Sequence, residues 1–271
     1  MPELPEMETY KTLLTQTVVG KPITGVRVSR EKSINMDAAS FTQQLIGKQI
    51  LYVERRGKML LFHLDSGKRL LLHLMLGGWM YYGTDEDRPN RTVQVELEFG
   101  KERLYFIGLR LGYLHLLSVR ETDEQLADLG PEPLGRTMTR ERFSECFAGK
   151  HKSLKTALTD QKRLAGIGNC YSDEICFEAG ILPTTEVAAL NDEQFGRLYD
   201  AMRVVLQDAI ASGGYMDQPY AEDDQLTGGY NERLRVYDRE GEPCSRCGSE
   251  ILKREISSRK TFYCGRCQYD G

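Results

Sequence analysis

Leu129-Gly130-Pro131-Glu132-Pro133-Leu134 divides the chain into two parts of different character. Two prolines and a glycine within so short a stretch are typical of a linker, because proline cannot continue a helix or a central strand. We therefore place a domain boundary at residue 130. The full length of 271 residues is enough for two domains and a small third module.

The part before this linker has the sequence pattern of β-strands from Ile23 to Leu117. Apolar residues occupy every second position in several runs, and turn signals such as Asp65-Ser66-Gly67 separate the runs. One helix is predicted from Pro5 to Gly20, and a second begins after Asp37, which can cap it. Residues 1–130 are therefore predicted to form a β-sandwich with flanking helices.

After the linker, the spacing of apolar residues changes to that of helices over residues 135–225. Gly166-Ile167-Gly168-Asn169 leads into one of these helices, and its backbone N–H groups could hold a phosphate. A plain turn between two helices is the more common use of this pattern. Asn191 and Gln194 form a capping pair for the longest helix. Residues 215–231 are acidic, lack periodicity and are predicted to form a mobile loop.

Two Cys-x-x-Cys pairs close the chain, on either side of residues 248–263. Four thiolates in two such pairs are typical of a tetrahedral structural site for one zinc ion, and a redox function is the less favoured alternative. The intervening residues are predicted to form a β-hairpin with Arg259 near its tip. Its basic side chains suit phosphate contacts, although a solvated charged face stays open as an alternative. The predicted zinc ligands are Cys244, Cys247, Cys264 and Cys267.

The N-terminus, Met1-Pro2-Glu3-Leu4-Pro5-Glu6, carries a candidate nucleophile. Removal of Met1 leaves Pro2 with a free secondary amine, which is partly unprotonated near neutral pH. Such an amine condenses with an aldehyde to give a charged iminium, and the adjacent C–H becomes acidic. Glu3 and Glu6 can transfer protons nearby. Acidic residues also suit the positive end of a helix, so this stretch alone does not establish catalysis.

Arg55-Arg56-Gly57-Lys58 is predicted to be the tip of a β-hairpin. Such a tip places Lys58 at the surface, where the lysine either contacts a phosphate or sugar or only keeps the turn soluble. Both alternatives stay open at this point.

Composition indicates a cytosolic protein. The net charge of −4 argues mildly against a nucleic-acid partner. A negative net charge is nevertheless compatible with a local basic face. The N-terminus lacks the apolar core of a secretory signal, and the run from Leu70 to Tyr82 is too short to span a bilayer. We therefore expect no membrane association, and we expect the remaining cysteines to be reduced core residues.

Together these motifs resemble the formamidopyrimidine-DNA glycosylase and endonuclease VIII family along the whole chain, and they are closer to the formamidopyrimidine branch. The resemblance implies an α+β multidomain fold with a β-sandwich over residues 1–130, a helix-two-turn-helix domain over 135–225 and a zinc-finger hairpin over 232–271, with DNA lying between them. The matching motifs are Pro2-Glu3-Leu4-Pro5-Glu6, Arg56-Gly57-Lys58, the linker at 129–134, Asp160-Gln161 with Gly166 to Glu174, and the cysteine pairs with Arg259.

The same resemblance implies roles for single residues. Pro2 would be the nucleophile, Glu3 its acid/base partner, and Lys58 a catalytic lysine that also binds phosphate. DNA contacts would come from Asn169 and Arg259, which clamp the phosphates beside a flipped nucleotide, and from Lys155, in a helix that carries a functional lysine in relatives.

The chain departs from the family where side chains fill the gap left by the flipped base. The formamidopyrimidine branch has arginine and methionine at Met75-Leu76, and arginine and phenylalanine in a second wedge that aligns with Leu109-Arg110-Leu111. We expect Leu76, Leu109 and Leu111 to form an aliphatic wedge without the guanidinium that reads the base opposite the lesion. The acidic loop at 217–224 and Asp238 also differ, which leaves the identity of the excised base open.

These observations predict a bifunctional DNA repair glycosylase and abasic-site lyase that performs β- and δ-elimination. Its substrate would be double-stranded DNA with a damaged base or an abasic site, and the protein would act as a monomer in the bacterial cytosol or nucleoid. The alternative is a non-catalytic protein that binds damaged DNA or a DNA structure. The presence of Pro2, Glu3 and Lys58 favours the enzyme, whereas the altered wedge and loop favour the binding protein.

Overall fold

The computed structural model describes residues 1–149 and 152–270, which group into two compact units. The first unit contains residues 1–127 and 212–229, and the second contains 128–211 and the chain from Tyr230 onward. The predicted boundary at residue 130 lies close to the first division. Segment 212–229, however, belongs to the first unit and not to the helical part that precedes it in sequence.

The first unit is built on two four-stranded antiparallel sheets, so the predicted β-sandwich is confirmed. Alternate side chains of both sheets, among them Leu60, Phe62, Leu97 and Phe106, form one buried core. One sheet has the strand order β1 (Gly25–Val28), β6 (Val93–Phe99), β7 (Glu102–Ile107), β5 (Trp79–Gly83), and the other has the order β2 (Ile50–Arg56), β3 (Met59–Leu64), β4 (Arg69–His73), β8 (Tyr113–Leu117).

Three helices accompany these sheets: α1 (Leu4–Thr17), α2 (Ala38–Leu45) and α3 (Val119–Leu126). Helix α1 packs against β2 and β3 and buries Met7, Tyr10 and Leu14 in the core. Helix α2 begins as predicted, because the Asp37 carboxylate accepts the Ser40 N–H at 2.8 Å.

Segment 212–229 contains no helix or strand, yet a buried tyrosine anchors it to the first unit. The Tyr220 carbonyl accepts the N–H of Tyr82 at 2.6 Å, and the Tyr220 hydroxyl lies 2.7 Å from the Thr17 hydroxyl. Its ring contacts the rings of Tyr10 and Tyr82. The predicted mobile loop is therefore fixed at its middle, because a single large aromatic residue supplies the buried surface that periodicity did not reveal.

The described residues of the second unit form four α-helices and a two-stranded antiparallel hairpin. The predicted capping pair is present, since Asn191 N–H donates to Gln194 Oε1 at 2.8 Å and Gln194 N–H donates to Asn191 Oδ1 at 2.9 Å. None of the helices in the described part of the chain is long and apolar enough to cross a membrane. The elements are α4 (Arg140–Glu145), α5 (Leu154–Leu158), α6 (Asn169–Ala179), α7 (Asp192–Ala211), β9 (Leu252–Ile256) and β10 (Arg259–Tyr263).

Candidate active site and DNA-binding residues

The N-terminal lead into α1 is fixed by a buried carboxylate. Glu6 Oε2 accepts the Glu3 N–H at 2.7 Å, and Glu6 Oε1 accepts the Tyr215 N–H at 2.8 Å. Glu6 is only 1% exposed and Glu3 is also buried, whereas Pro2 is half-buried. The backbone is therefore held at Glu3, while the residue before it is still reachable from solvent.

The Gly57-Lys58 turn joins β2 to β3 and is tied to α1 through Arg55. Arg55 Nε lies 2.6 Å from Glu8 Oε2, and Arg55 Nη1 donates to the Gly57 carbonyl at 3.1 Å. Gly57 has a φ of +57°, which suits glycine at this tight turn. Lys58 is 7% exposed. The expectation of a surface lysine is therefore wrong, because the turn is held against the first turns of α1 instead of projecting into solvent.

His73 is a neighbour of Lys58 that sequence reasoning missed. It lies at the end of β4, opposite Met59 in the register of β3. Burial lowers the pKa of His73 to about 4, and the Lys58 charge acts in the same direction. A neutral imidazole therefore lies beside the ammonium at pH 7. The alternation of side chains along β4 could have revealed this position. Leu70 and Leu72 face the core, so residue 73 lies on the opposite face, together with residue 59.

Two of the three predicted wedge leucines lie together at the surface. Leu76 and Leu111 are 66% and 62% exposed and line a surface cavity of about 440 Å³. Arg91 and Arg110 line the same cavity. Exposed leucines beside arginines suit contact with unstacked bases and nearby phosphates.

Leu109 does not belong to this wedge, which corrects the expectation for that residue. It is 0% exposed and packs in the core of the first unit. Its N–H donates to Gln94 Oε1 at 3.0 Å, and its carbonyl accepts the Ser33 hydroxyl at 2.9 Å. Gly108, with a φ of +73°, brings this loop so close to Gly77 that a Cβ would lie 1.9 Å from the Gly77 carbonyl oxygen. The hydrogen bonds to Gln94 and Ser33 hold the Leu109 backbone, and its side chain packs in the core.

In the second unit, the Gln161 side chain fixes the glycine turn that precedes Asn169. Its Oε1 accepts the Gly166 N–H at 2.9 Å, and its Nε2 donates to the Ile167 carbonyl at 2.7 Å. Asn169 then begins α6 and is half-buried. The helix N-terminus favours negative charge, so the turn, the helix end and the Asn169 amide form one candidate phosphate site.

Lys155 lies in the interior of the second unit and is not a surface DNA contact. Its side chain is 0% exposed, and its Nζ donates to Asp173 Oδ1 at 2.7 Å and to the Asn169 carbonyl at 2.8 Å. The predicted direct contact with DNA is therefore not available to this ammonium, because the group is enclosed and its donors face protein acceptors.

The four C-terminal cysteines form one compact cluster. Their sulfur atoms all lie within 4.8 Å of one another, with Cys244 to Cys267 at 3.9 Å and Cys247 to Cys264 at 3.6 Å. A tetrahedral zinc ion with four Zn–S bonds of about 2.3 Å requires sulfur atoms about 3.8 Å apart, so the donor set fits zinc. The hairpin between the pairs turns at residues 257–258, and Arg259 begins its second strand, as predicted.

Known protein families match this sequence along nearly the whole chain. The model of the formamidopyrimidine-DNA glycosylase N-terminal domain matches residues 1–113, and that of the formamidopyrimidine-DNA glycosylase H2TH domain matches residues 129–218. The chain belongs to the formamidopyrimidine-DNA glycosylase family. Residues 241–268 match the zinc finger found in FPG and IleRS, and with the cysteine geometry this establishes one structural zinc site.

Individual family members are similar over their full length. The formamidopyrimidine-DNA glycosylase of Geobacillus kaustophilus is 36% identical, with 99% of this chain and 100% of the relative aligned. That of Symbiobacterium thermophilum is 39% identical over 99% of this chain and 89% of the relative. The Lactococcus lactis Fpg in complex with DNA that contains an abasic site superposes with a TM-score of 0.91 at 31% identity, covering 98% of this chain and 99% of that one.

Proposed function

We propose that the protein is a DNA glycosylase with abasic-site lyase activity that uses the Pro2 amine as its nucleophile. The observation that carries the proposal is the N-terminal lead, where Glu6 holds the buried Glu3 while Pro2 stays accessible. Such a lead keeps the position of the amine fixed and accessible to a substrate, directly next to the buried Glu3. Met1 must be removed for this chemistry, because Met1 acylates the proline nitrogen.

The proposed reaction begins on a nucleotide that has been flipped out of the duplex. The Pro2 nitrogen attacks C1′ of the sugar, and the damaged base leaves with the electrons of its bond to C1′ and takes a proton from water. Glu3 accepts the proton that the amine loses and passes it to O4′, so the C1′–O4′ bond breaks and the ring opens. The product is an iminium between Pro2 and C1′. Loss of a proton from C2′ then expels the 3′ phosphate, and a second elimination expels the 5′ phosphate. Hydrolysis of the remaining conjugate regenerates the amine.

The proposed DNA contacts come from each unit separately. In the first unit, Lys58 and the neutral His73 contact the reacting nucleotide. In the second unit, Asn169 and Arg259 contact the flanking phosphates. These local sites account for DNA binding by a chain with a net charge of −4. The Lactococcus lactis relative has been solved with abasic DNA, and a mutant form of it with DNA that contains Fapy-dG. Both complexes support double-stranded damaged DNA as the partner of this monomer.

A site of action in the bacterial cytosol or nucleoid is part of the proposal. It is supported by the bacterial origin of the compared relatives. A non-catalytic DNA-binding role is not favoured, because a buried contact holds the N-terminal lead and a partly buried one holds the Lys58 turn, and DNA binding alone would not require either.

Borohydride trapping on abasic DNA tests the proposal. The reductant should convert the iminium to a stable amine, and the cross-linked peptide should begin at Pro2. A variant with an N-terminal extension before Pro2 should give no adduct. Glu3→Gln should impair base excision more than trapping, because an abasic sugar is already an aldehyde. If folded, zinc-loaded protein that lacks Met1 forms no adduct, the proposed enzymatic activity is refuted.

A further inference from the structure

A buried ion pair connects three elements of the second unit. Lys155 on α5 and Asp173 on α6 are both 0% exposed, and their charged atoms lie 2.7 Å apart. The second Asp173 oxygen accepts the Phe262 N–H of β10 at 3.0 Å. The Lys155 ammonium also donates to the Asn169 carbonyl at 2.8 Å. A continuous set of hydrogen bonds therefore runs from the start of α6 to the zinc-bearing hairpin.

Stability alone is a poor explanation for this pair. Burial of both charges carries a desolvation cost, and an apolar pair of similar volume is often as stable or more stable. Burial raises the pKa of Asp173 even though the Lys155 charge acts in the opposite direction. The pair instead supplies directional bonds, which a pair of apolar side chains cannot do.

One end of this set is Asn169, a candidate phosphate contact, and the other is Phe262, which lies in the same strand as the second candidate, Arg259. Asn169 is bonded through its own carbonyl, and Arg259 begins the strand that Asp173 holds at Phe262. The hairpin tip also approaches α5, since Ser257 Oγ lies 3.5 Å from Oγ1 of Thr156, the residue next to Lys155. Both helices therefore orient the hairpin.

We propose that Lys155 and Asp173 are positioning residues that fix Asn169 relative to Arg259, so that both can contact phosphates of one DNA strand at once. This inference rests on the proposed function, because it assumes that Asn169 and Arg259 bind phosphate. Lys155 thus affects DNA binding through Asn169 and does not contact the DNA itself. Loss of the pair loosens the two contacts without removing either of them.

A double-mutant cycle in DNA binding tests the inference. The probe is a duplex that contains a tetrahydrofuran abasic-site analogue, and the variants are Lys155→Met, Asn169→Ala and their combination. In the parent, Asn169→Ala should weaken binding about tenfold, because it removes a hydrogen bond to a charged group. In the Lys155→Met background the same change should weaken binding less than about threefold, because the amide is already misplaced.

Lys162→Met is the matched control. Lys162 pairs with Asp128 at 2.7 Å in the same unit, but its side chain is 71% exposed. In the Lys162→Met background, Asn169→Ala should weaken DNA binding about tenfold, as it does in the parent. Equal costs of Asn169→Ala in the parent and in Lys155→Met would overturn the inference, and so would a parent in which Asn169→Ala has no effect.

A second variant covers the case in which Lys155→Met does not fold. Lys155→Met/Asp173→Asn removes both charges and keeps an acceptor for the Phe262 N–H, and zinc content and thermal melting report its integrity. Trapping by the parent distinguishes failure of the positioning role from failure of the enzymatic activity. If the parent traps abasic DNA and the cycle is additive, the inference fails and the enzyme stands; if the parent neither binds nor traps, both fail.

Discussion

Tyr215 donates its main-chain N–H to Glu6 Oε1 at 2.8 Å, and the other oxygen of the same carboxylate accepts the Glu3 N–H at 2.7 Å. One buried side chain therefore holds two backbone segments that are far apart in sequence. The position of the proposed nucleophile depends on segment 212–229 as well as on α1. Disturbance of that segment should thus affect chemistry at Pro2.

Gly214→Ala should slow iminium formation. Gly214 has a φ of +72°, and an added Cβ would lie 2.5 Å from Glu6 Oε1. A displaced carboxylate would misplace Glu3 and Pro2, which should reduce the trapping rate about tenfold or more. Gly20→Ala is the control, because Gly20 has a φ of +79° with open space around the new Cβ. Both variants should lose about 1–2 kcal/mol of stability from the positive φ. Equal trapping rates in single-turnover assays would contradict the coupling.

The leucines near the wedge should separate into two classes. Leu109→Ala should lower the free energy of unfolding by about 2–5 kcal/mol, because it opens a cavity in the core. Leu76→Ala and Leu111→Ala should change it by about 0.5 kcal/mol or less, because both side chains are exposed, yet they should slow excision of a damaged base. Urea denaturation and excision assays check both parts. A destabilised Leu76→Ala with normal excision would contradict the assignment.

Discrimination of the base opposite the lesion should be weak. The side chain at position 109 is buried and apolar, so it offers no hydrogen bond to that base. A missing bidentate contact removes about 1–3 kcal/mol of discrimination. Cleavage rates for one lesion opposite each of the four bases should therefore be similar. A strong preference for cytosine that disappears in Arg110→Ala would show that Arg110, on the rim of the wedge cavity, reads the base.

Zinc should be needed for the phosphate contact of the hairpin. Cys247→Ser removes one of four ligands and should abolish stoichiometric zinc, which metal analysis measures. Without the ion the hairpin no longer holds Arg259 in place, so the slope of log binding constant against log salt should decrease by about 0.9. Cys146→Ser, outside the cluster, should leave zinc and slope unchanged. A full zinc complement in Cys247→Ser would contradict a structural site.

Stability should fall in mild acid because of His73. Its pKa is lowered from 6.5 to about 4 by burial and then by Lys58, so the unfolded chain binds the proton more readily. The neutral histidine therefore contributes stability that is complete above pH 6.5 and is lost as pH falls through 4, up to about 3 kcal/mol. Urea denaturation at pH 7 and pH 4.5 should show a smaller loss for His73→Gln. An equal loss would assign the acid sensitivity to other groups.

Features encoded in neighbouring residues could be predicted from the sequence. The strand alternation, the Asp37 and Asn191 caps and the two cysteine pairs depend on residues a few positions apart, and each occurs in the structure. The turn at Gly166-Ile167-Gly168 belongs to the same class, because Gln161 lies only a few residues before it.

Side-chain burial set by distant partners could not be predicted in this way. Leu109 is held in the core through backbone bonds to Gln94 and Ser33, and Lys155 is enclosed beside Asp173. Lys58 is buried in a turn that an ion pair between Arg55 and Glu8 ties to another element. In each case the residue type fits either a surface or an interior location, and only the tertiary contact decides between them.

Tyr220 has a consequence for synthesis on the ribosome. Tyr220 belongs to the core of the first unit. In the sequence, however, residues 128–211 of the second unit separate its segment from the main part of the first unit, which ends at Ala127. At a synthesis rate of about 5–20 residues per second, Tyr220 follows Ala127 out of the ribosome by roughly 5–20 s. During that interval the nascent sandwich exposes the apolar surfaces of Tyr10 and Tyr82, where chaperones and proteases can act before the segment arrives.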